Sequence, residues 1–310
     1  MTAVNSSAGS VETAPPAAAI IIPAFNASAT IGDTLRSVQS CEQIDEIRAV
    51  YVCDDASSDD TVEAAKGAWK GAPKLVIERN KENLGERRTV NAAIERLSSE
   101  FPWVLILHAD DVVKENWIRL YFDRMRIAEP RVASICSSYD CWYPALGRTD
   151  PGEDDFTRDL EIISGSQETV LSTLKTGCWW HISGCAIRTD CFREIGGFQP
   201  HMPQLGDFEW LLRCLKLGYD IEYIPRTTML YRMHPKSVSS KSFSRGQDLI
   251  ERMEIFQKYC NEGYLPRRAL RSLKLNTIYT AAKRIAKQLA AGRIQECGNL
   301  CSVCWRTLVS

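Results

Sequence analysis

IRAVYVCDDASSDDTVEAAKGAW, residues 47–69, runs from an apolar segment (47–53) through two adjacent carboxylates into a Ser/Asp cluster, and then into a helical pattern over 60–69. A short apolar run rich in β-branched residues and closed by turn formers is a buried strand. Ser58 or Asp59 is suited to cap the helix, whose positive N-terminal dipole favours acids in its first turn. Capping leaves Asp54 and Asp55 unexplained at the end of an apolar strand. The same unit recurs on both sides: AIIIPA (19–24) leads to a helix over 30–38, KLVIE (74–78) to a helix over 88–97, and WVLIL (103–107) to another acidic loop. Alternation of this kind builds βαβ units, so the expected fold is α/β, with a mixed, mostly parallel sheet flanked by helices. Ligands of such sheets bind outside the carboxyl ends of the strands, in these acidic loops.

Beyond Asp110 the pattern predicts a helix over 115–128, a strand over 132–137, a long exposed loop over 144–166, and a strand over 182–188. A short helix (190–195), the turn Gly196-Gly197, a helix (208–217) and two strands (221–224 and 228–233) follow. After about Ser240 the pattern is helical throughout. A chain of 310 residues is about two domains, or one large α/β domain with an appendage. The expected division is a flexible arm (1–16), an α/β domain (17–240) and a C-terminal helical region (241–310).

Apolar residues make up 45% and charged residues 25%, which excludes disordered, collagen-like and rod-like chains. The longest apolar run, 17–22, ends at Pro23, far short of the roughly 18 residues that a bilayer requires. The first sixteen residues lack a basic start and an apolar stretch, which points to a cytoplasmic protein whose twelve cysteines are mostly reduced and buried. Cys297, Cys301 and Cys304 share one helical face without a fourth ligand, which reads as packing and not as zinc. Net charge is −1, yet from Gly263 onward it is +8. There Leu270, Leu273, Ile278, Ala281, Ala282, Ile285 and Leu289 recur at helical spacing among basic residues, an amphipathic helix suited to packing, to a homodimer contact or to an anionic membrane surface. No nucleic-acid partner is expected.

Three further clusters carry chemistry. His108-Ala109-Asp110-Asp111 groups an imidazole and two carboxylates after a strand, a set that suits a hard divalent cation completed by substrate phosphates. Asp207 precedes a helix, where a cap and a general base are both admissible readings. Tyr231-Arg232-Met233-His234-Pro235-Lys236 mixes cationic groups at a strand end, as phosphate or metal binding requires. Trp179-Trp180-His181 is either core or an acceptor-side wall.

AIIIPAFNASATIGDTLRSV, VYVCDDASSDDT, ERNKENLGERRTVNAAI, LILHADD, AIRTDCFREIGGF, GDFEWLLRCLKLGY and YRMHPKSVS, in this order over about 17–240, resemble the glycosyltransferases of family 2 with the GT-A fold. The resemblance implies an inverting transfer from a nucleotide diphosphate sugar, UDP-sugars favoured, to a glycan or lipid-linked acceptor hydroxyl, in surface polysaccharide or glycoconjugate synthesis. It implies that Pro23, Ala24 and Phe25 line the base pocket, that Asp54 or Asp55 accepts from the base, and that Asn83, Gly85 and Arg87 border the nucleotide. Asp110 and Asp111 would bind the donor and Mn2+ or Mg2+, His234 would complete the metal site, and Asp207 would be the catalytic base. Trp179, Trp180 and His181 would face the acceptor. Residue 108 departs from the pattern, since family members usually carry an acid where this chain has His108. The lipid-linked acceptor and the basic tail together imply work at the inner face of a membrane.

A dehydrogenase would need G-x-G-x-x-G after the first strand, and a nucleotidyltransferase a Gly-rich phosphate loop; only Gly32 lies between Ile20 and Tyr51. The alternative that stays open is a non-catalytic nucleotide-sugar-binding protein of the same fold.

Overall fold

The computed structural model describes residues 17–234, 245–290, 292 and 294–309. The expected arm (1–16), the tail of the YRMHPKSVS motif (235–239) and the boundary near Ser240 lie outside the described residues.

The alternation read from the sequence is present: β1 (Ala18–Ala24), α1 (Ile31–Gln39), β2 (Ile47–Asp54), α2 (Thr61–Ala68), β3 (Lys74–Arg79), α3 (Glu86–Leu97) and β4 (Trp103–Ile106). These strands pair in parallel in the order β3-β2-β1-β4. The chain first builds to one side of β1 and then places β4 on the other, so β1/β4 is a topological switch point where a crevice opens at the strand ends. β1 is buried on both faces because its side chains alternate: Ala18, Ile20 and Ile22 enter the core under α1 and α4, and Ala19 and Ile21 enter the core under α3 and α7.

After β4 come β5 (Val112–Val113), α4 (Trp117–Met125), β6 (Val132–Tyr143), β7 (Arg148–Asp150), β8 (Glu161–Ile163), α5 (Gln167–Thr176), β9 (Cys185–Arg188), α6 (Thr189–Ile195), α7 (Gly206–Lys216) and β10 (Asp220–Arg232). The sheet continues β4-β9-β6-β10-β5, antiparallel at β9 and β5 and parallel between β6 and β10.

Three expectations are corrected here. The segment 144–166 is not one loop: β7 forms a hairpin on β6 and β8 pairs with β10, strands of three residues that are too short to show a period. α5 was not expected; Ser166 caps it by accepting the Thr169 N–H (3.1 Å), and it buries Val170, Thr173 and Leu174. The two strands at 221–224 and 228–233 are one, β10, because Pro225 sits at a register shift where a missing N–H costs no ladder bond.

The C-terminal helices are α8 (Gln247–Asn261), α9 (Arg267–Ala290) and α10 (Ile294–Val309). Ile255, Phe256 and Tyr259 of α8, with Leu265 and Leu273, pack into the same core as α3, α6 and α7. Leu249 of α8, Ala281 of α9 and Val303 of α10 form a small separate cluster among the described residues. The amphipathic reading of α9 needs correction: it buries Leu273, Thr277 and Ala281 at a four-residue spacing, while Leu275 and Tyr279 between them, and Leu289 near the helix end, stand exposed.

Candidate functional site

The loops after β1 and β2 are zipped together by short polar side chains. Asn26, held in the left-handed region (φ 50°), accepts the Ser58 N–H (2.8 Å) and donates its own N–H to Ser57 Oγ (2.9 Å). Ala27 N–H donates to Thr61 Oγ1 (2.8 Å), and Ser28 N–H to Asp59 (3.1 Å). Asp59 is thereby a strut between loops; the N-cap position of α2 falls to Asp60, without a side-chain bond, in place of the Ser58 or Asp59 expected, while Asp59 accepts the Thr61 N–H (3.1 Å). Pro23 and Ala24 are buried within β1; Phe25, 50% exposed, is the member of the trio that offers a ring face.

The two carboxylates closing β2 do different work. Asp55 is fully engaged: Oδ1 accepts from Asn80 Nδ2 and the Leu84 N–H, and Oδ2 from the Gly85 N–H, each at 2.8 Å. It therefore anchors the 80–85 loop. Gly85 adopts φ 83° there, a conformation that side chains resist, and hands the chain to α3. Asp54, wholly buried, accepts the Ser57 N–H and pairs with Arg79 Nε (3.3 Å) through Oδ2, while Oδ1 has no hydrogen-bond partner. Of the pair, Asp54 keeps acceptor capacity. Asn83 is exposed on the loop that Asp55 holds.

The loop after β4 carries the acidic motif and is fixed from three sides. Thr30 and Thr34 of the α1 region donate to the carbonyls of Ala109 (2.9 Å) and Asp111 (2.7 Å). Ser183, before β9, donates to Asp111 Oδ2 (2.6 Å) and accepts the His108 N–H (3.0 Å). Arg232, closing β10, donates its N–H to Asp111 Oδ1 (2.9 Å) and its Nε to the Asp110 carbonyl (2.6 Å), and reaches Asp33 on α1 (3.0 Å). Its guanidinium lies 4.2 Å from the centre of the Trp142 ring.

Within this frame His108, Asp110 and Asp111 bring ligand atoms within 4.8 Å of one another. Two carboxylates and an imidazole are donors that suit Mn2+ or Mg2+, and His108 Nδ1 lies 4.0 Å from Asp111 Oδ2 while its Nε2 turns to Glu86, so the residues fit a divalent cation. His108 thus joins the metal candidates. His234, expected among them, places Nε2 2.9 Å from Asp110 Oδ2, so it stands next to the group. Burial pushes the Asp110 carboxyl up, but the His234 hydrogen bond and the charges of His108 and His234 outweigh it and hold it below the ordinary range. Asp111 goes the other way, pushed up to about 7 by burial and by Asp110, against the pull of His108. Burial lowers the His108 imidazole, yet Glu86 (3.2 Å from Nε2) and the two aspartates together raise it to about 9. Glu86 was missed in the sequence because it reads there as an ordinary first-turn acid of α3.

Asp207 opens α7, partly exposed, its Oδ1 accepting the Phe208 N–H (2.8 Å). Its charge acts on His181 and Tyr139. His181 stacks edge-on to Tyr231 (4.8 Å between ring centres) and lies 6.1 Å from His108. Tyr139, His181 and Tyr231 form one ring cluster beside His108. Burial and the charge of His108 keep His181 below its ordinary range, which leaves it neutral. Its neighbours in the sequence are elsewhere: Trp180 is 2% exposed, donates to Ser134 Oγ (3.0 Å) and packs on Trp210 and Phe198, so it cannot wall an acceptor. Trp179 packs partly against the same core and donates to Thr173. Arg87 is buried under the loop that precedes Asp207, with its guanidinium against Glu86, Pro203 and the Phe198 ring.

Residues 19–164 match the model described as Glycosyl transferase family 2, and residues 103–254 match the one described as Glycosyl transferase family group 2. Glycosyltransferase AglE of Haloferax volcanii is 24% identical over 208 residues, 67% of this chain and 64% of that protein, so the match spans just under two thirds of that relative's length. Among solved structures, the mannosyltransferase PcManGT of Pyrobaculum calidifontis, in complex with GDP-Man and Mn2+, superposes with TM-score 0.58 at 19% identity, over 96% of this chain and 81% of its own. TarS 1-349 of S. aureus, in complex with UDP-GlcNAc, gives 0.57 at 14%, over 91% and 89%. Sheet order and acidic strand ends agree with the GT-A fold of these neighbours, and the two models, each just under half of the chain, together match residues 19–254 to the glycosyltransferases of family 2.

Proposed function

We propose that this chain is an inverting glycosyltransferase that moves a sugar from a nucleotide diphosphate sugar to the hydroxyl of a glycan or lipid-linked acceptor, in surface polysaccharide or glycoconjugate synthesis. The observation that carries the reading is the His108-Asp110-Asp111 group after β4, at the strand ends of a fold shared with nucleotide-sugar-bound neighbours and matched by the family models. Inverting transfer needs a group that stabilises the departing diphosphate and a base on the opposite face of the same anomeric carbon. Structural neighbours hold GDP-Man and UDP-GlcNAc, which supports a nucleotide-sugar donor; we take UDP-sugars first.

Asp54, with its unengaged oxygen, and the exposed Phe25 ring are the groups we assign to the base, and the 80–85 loop to the edge of the nucleotide. Mn2+ or Mg2+ bound by Asp110 and Asp111 with His108 supplies Lewis-acid stabilisation of the departing diphosphate. Asp207 accepts the proton of the acceptor hydroxyl as that oxygen bonds to the anomeric carbon; the bond to the diphosphate breaks on the opposite face and the configuration inverts. Neutral His181, whose Nδ1 lies 3.1 Å from the Ser183 carbonyl, is the residue of the Trp179-Trp180-His181 trio that we assign to the acceptor.

The reading extends to the inner face of an anionic membrane. α9 carries seven Lys/Arg and no acid over Arg267–Ala290, with Leu275 and Tyr279 exposed among them. No helix among the described residues is long and apolar enough to cross a membrane, so the contact proposed is peripheral.

The test is to incubate the protein with UDP- and GDP-sugars and Mn2+, follow free nucleoside diphosphate, and assign the anomer of the product by NMR. Release with inversion is expected. Binding without release for every donor would favour the non-catalytic alternative, which one contact supports: His108 faces Glu86.

A further inference from the structure

The loop that delivers Asp207 is held from beneath by a residue of the C-terminal helices. Glu251, on α8 and 1% exposed, is a buried carboxylate 44 positions after Asp207 in the chain. Its Oε2 accepts the N–H groups of Gln204 (3.0 Å) and Leu205 (2.5 Å), the two residues that lead into Gly206-Asp207. Its Oε1 accepts from Gln247 Nε2 one turn back on α8 (2.8 Å). Gln204 and Leu205 precede the first turn of α7, so their N–H groups have no partner inside that helix. Glu251 supplies one.

The opposite side of the loop is held by α3. Asn91 donates to the Phe198 carbonyl (2.8 Å) and accepts the Phe198 N–H (2.9 Å). Arg87 reaches the Pro203 carbonyl (3.5 Å), and its Nε lies so near Gly206 that a side chain there would come within 3.1 Å of it. The segment 198–206 is thus pinned between α3 and α8, with Asp207 at its exit. Burial of an acid at Glu251 is costly unless hydrogen bonds and a cation offset it; backbone donors and the nearby Arg87 charge provide that offset, though burial still leaves its carboxyl above the ordinary range. Nothing in the packing of α8 demands a carboxylate at this position, whereas the two backbone N–H groups do.

We propose that Glu251 is a positioning residue for the transfer reaction: by gripping the Gln204 and Leu205 amides it sets where α7 begins and so where the Asp207 carboxylate stands. This rests on the reading of Asp207 as the base. It makes α8 part of the active site's support, although no atom of Glu251 touches donor or acceptor.

The experiment measures nucleoside diphosphate release from UDP-GlcNAc and GDP-mannose, affinity for UDP and GDP by calorimetry, and amide hydrogen exchange of the peptide spanning 199–208, all on the full chain. Glu251→Ala is expected to lower kcat roughly 10- to 100-fold, as a small misplacement of a catalytic group does, with nucleotide affinity within about 2-fold of wild type. Exchange across 204–205 should accelerate, and Glu251→Gln, which keeps one acceptor oxygen, should restore most of kcat. In an Asp207→Asn background Glu251→Ala should cost less than about 2-fold more, because both act on one function. Glu262→Ala, which breaks the exposed pair with Lys216 at the far ends of α7 and α8, serves as the control and should leave kcat unchanged. Should Glu251→Ala not fold, Glu251→Asp keeps the charge, withdraws it by one methylene and carries the same expectations. Retained kcat, full additivity with Asp207→Asn, or unchanged protection at 204–205 would each overturn the proposal. If Asp207→Asn itself keeps wild-type turnover, the base assignment fails, and exchange alone then reports whether the grip exists.

Discussion

Asp55 Oδ2 accepts the Gly85 N–H at 2.8 Å, so the carboxylate that follows β2 is bonded to the N-cap residue of α3. Two positions expected to meet separately at the nucleotide instead form one structural unit. Asp55→Ala strands the Asn80, Leu84 and Gly85 donors, at a cost of about 1–3 kcal/mol for a group left buried without water. The expected result is a lower urea midpoint together with weaker nucleotide binding. An unchanged midpoint would return Asp55 to the base pocket.

Asp207→Asn removes a proton acceptor and almost no volume. Turnover should fall by about 10²- to 10⁴-fold while UDP or GDP affinity stays within about 2-fold, the split expected of a general base. More than a tenth of wild-type activity would take Asp207 out of that role.

Asp110→Ala acts on the other end of the site. Calorimetric affinity of the wild type for UDP or GDP should rise when Mn2+ is added, and this rise should vanish in the variant. Equal affinity with and without Mn2+ in the wild type would argue that the His108-Asp110-Asp111 group does not hold a cation.

Thiol chemistry checks the core. Burial pushes Cys41 and Cys53 up to about 12, and Cys136 further still. The thiolate is the reactive form, so raising the pH from 7 to 9 leaves these three protonated and unreactive. Iodoacetamide at pH 8 should modify the exposed Cys301 readily and reach Cys41, Cys53 and Cys136 only after denaturation. Native-state labelling of Cys53, read by mass spectrometry, would contradict the packing of β2.

For α9, flotation with anionic vesicles at low salt is expected to be lost when Arg267, Arg268, Arg271 and Lys274 become Gln, or when salt screens them. Flotation that survives both changes would point away from charge. No flotation of the wild type would leave the helix to packing or to a second copy of the chain.

The sequence by itself determined the βαβ alternation, the burial of β1 on both faces, and the acidic strand ends at Asp54-Asp55 and Asp110-Asp111. These depend on periodicity and on turn chemistry within ten residues or so, which the chain carries locally. It also brought His108 to notice, as the one position out of pattern. Only the tertiary structure decided that Asp55 serves a loop while Asp54 keeps an open oxygen, that His234 meets Asp110, that Trp180 is core, and that Glu86 and Glu251 matter at all. Each of these is a pairing between groups far apart in the chain. A carboxylate looks the same in sequence whether it will accept from a distant amide, repel a neighbour or hold an ion, and only the packing of the sheet and its helices chooses the partner.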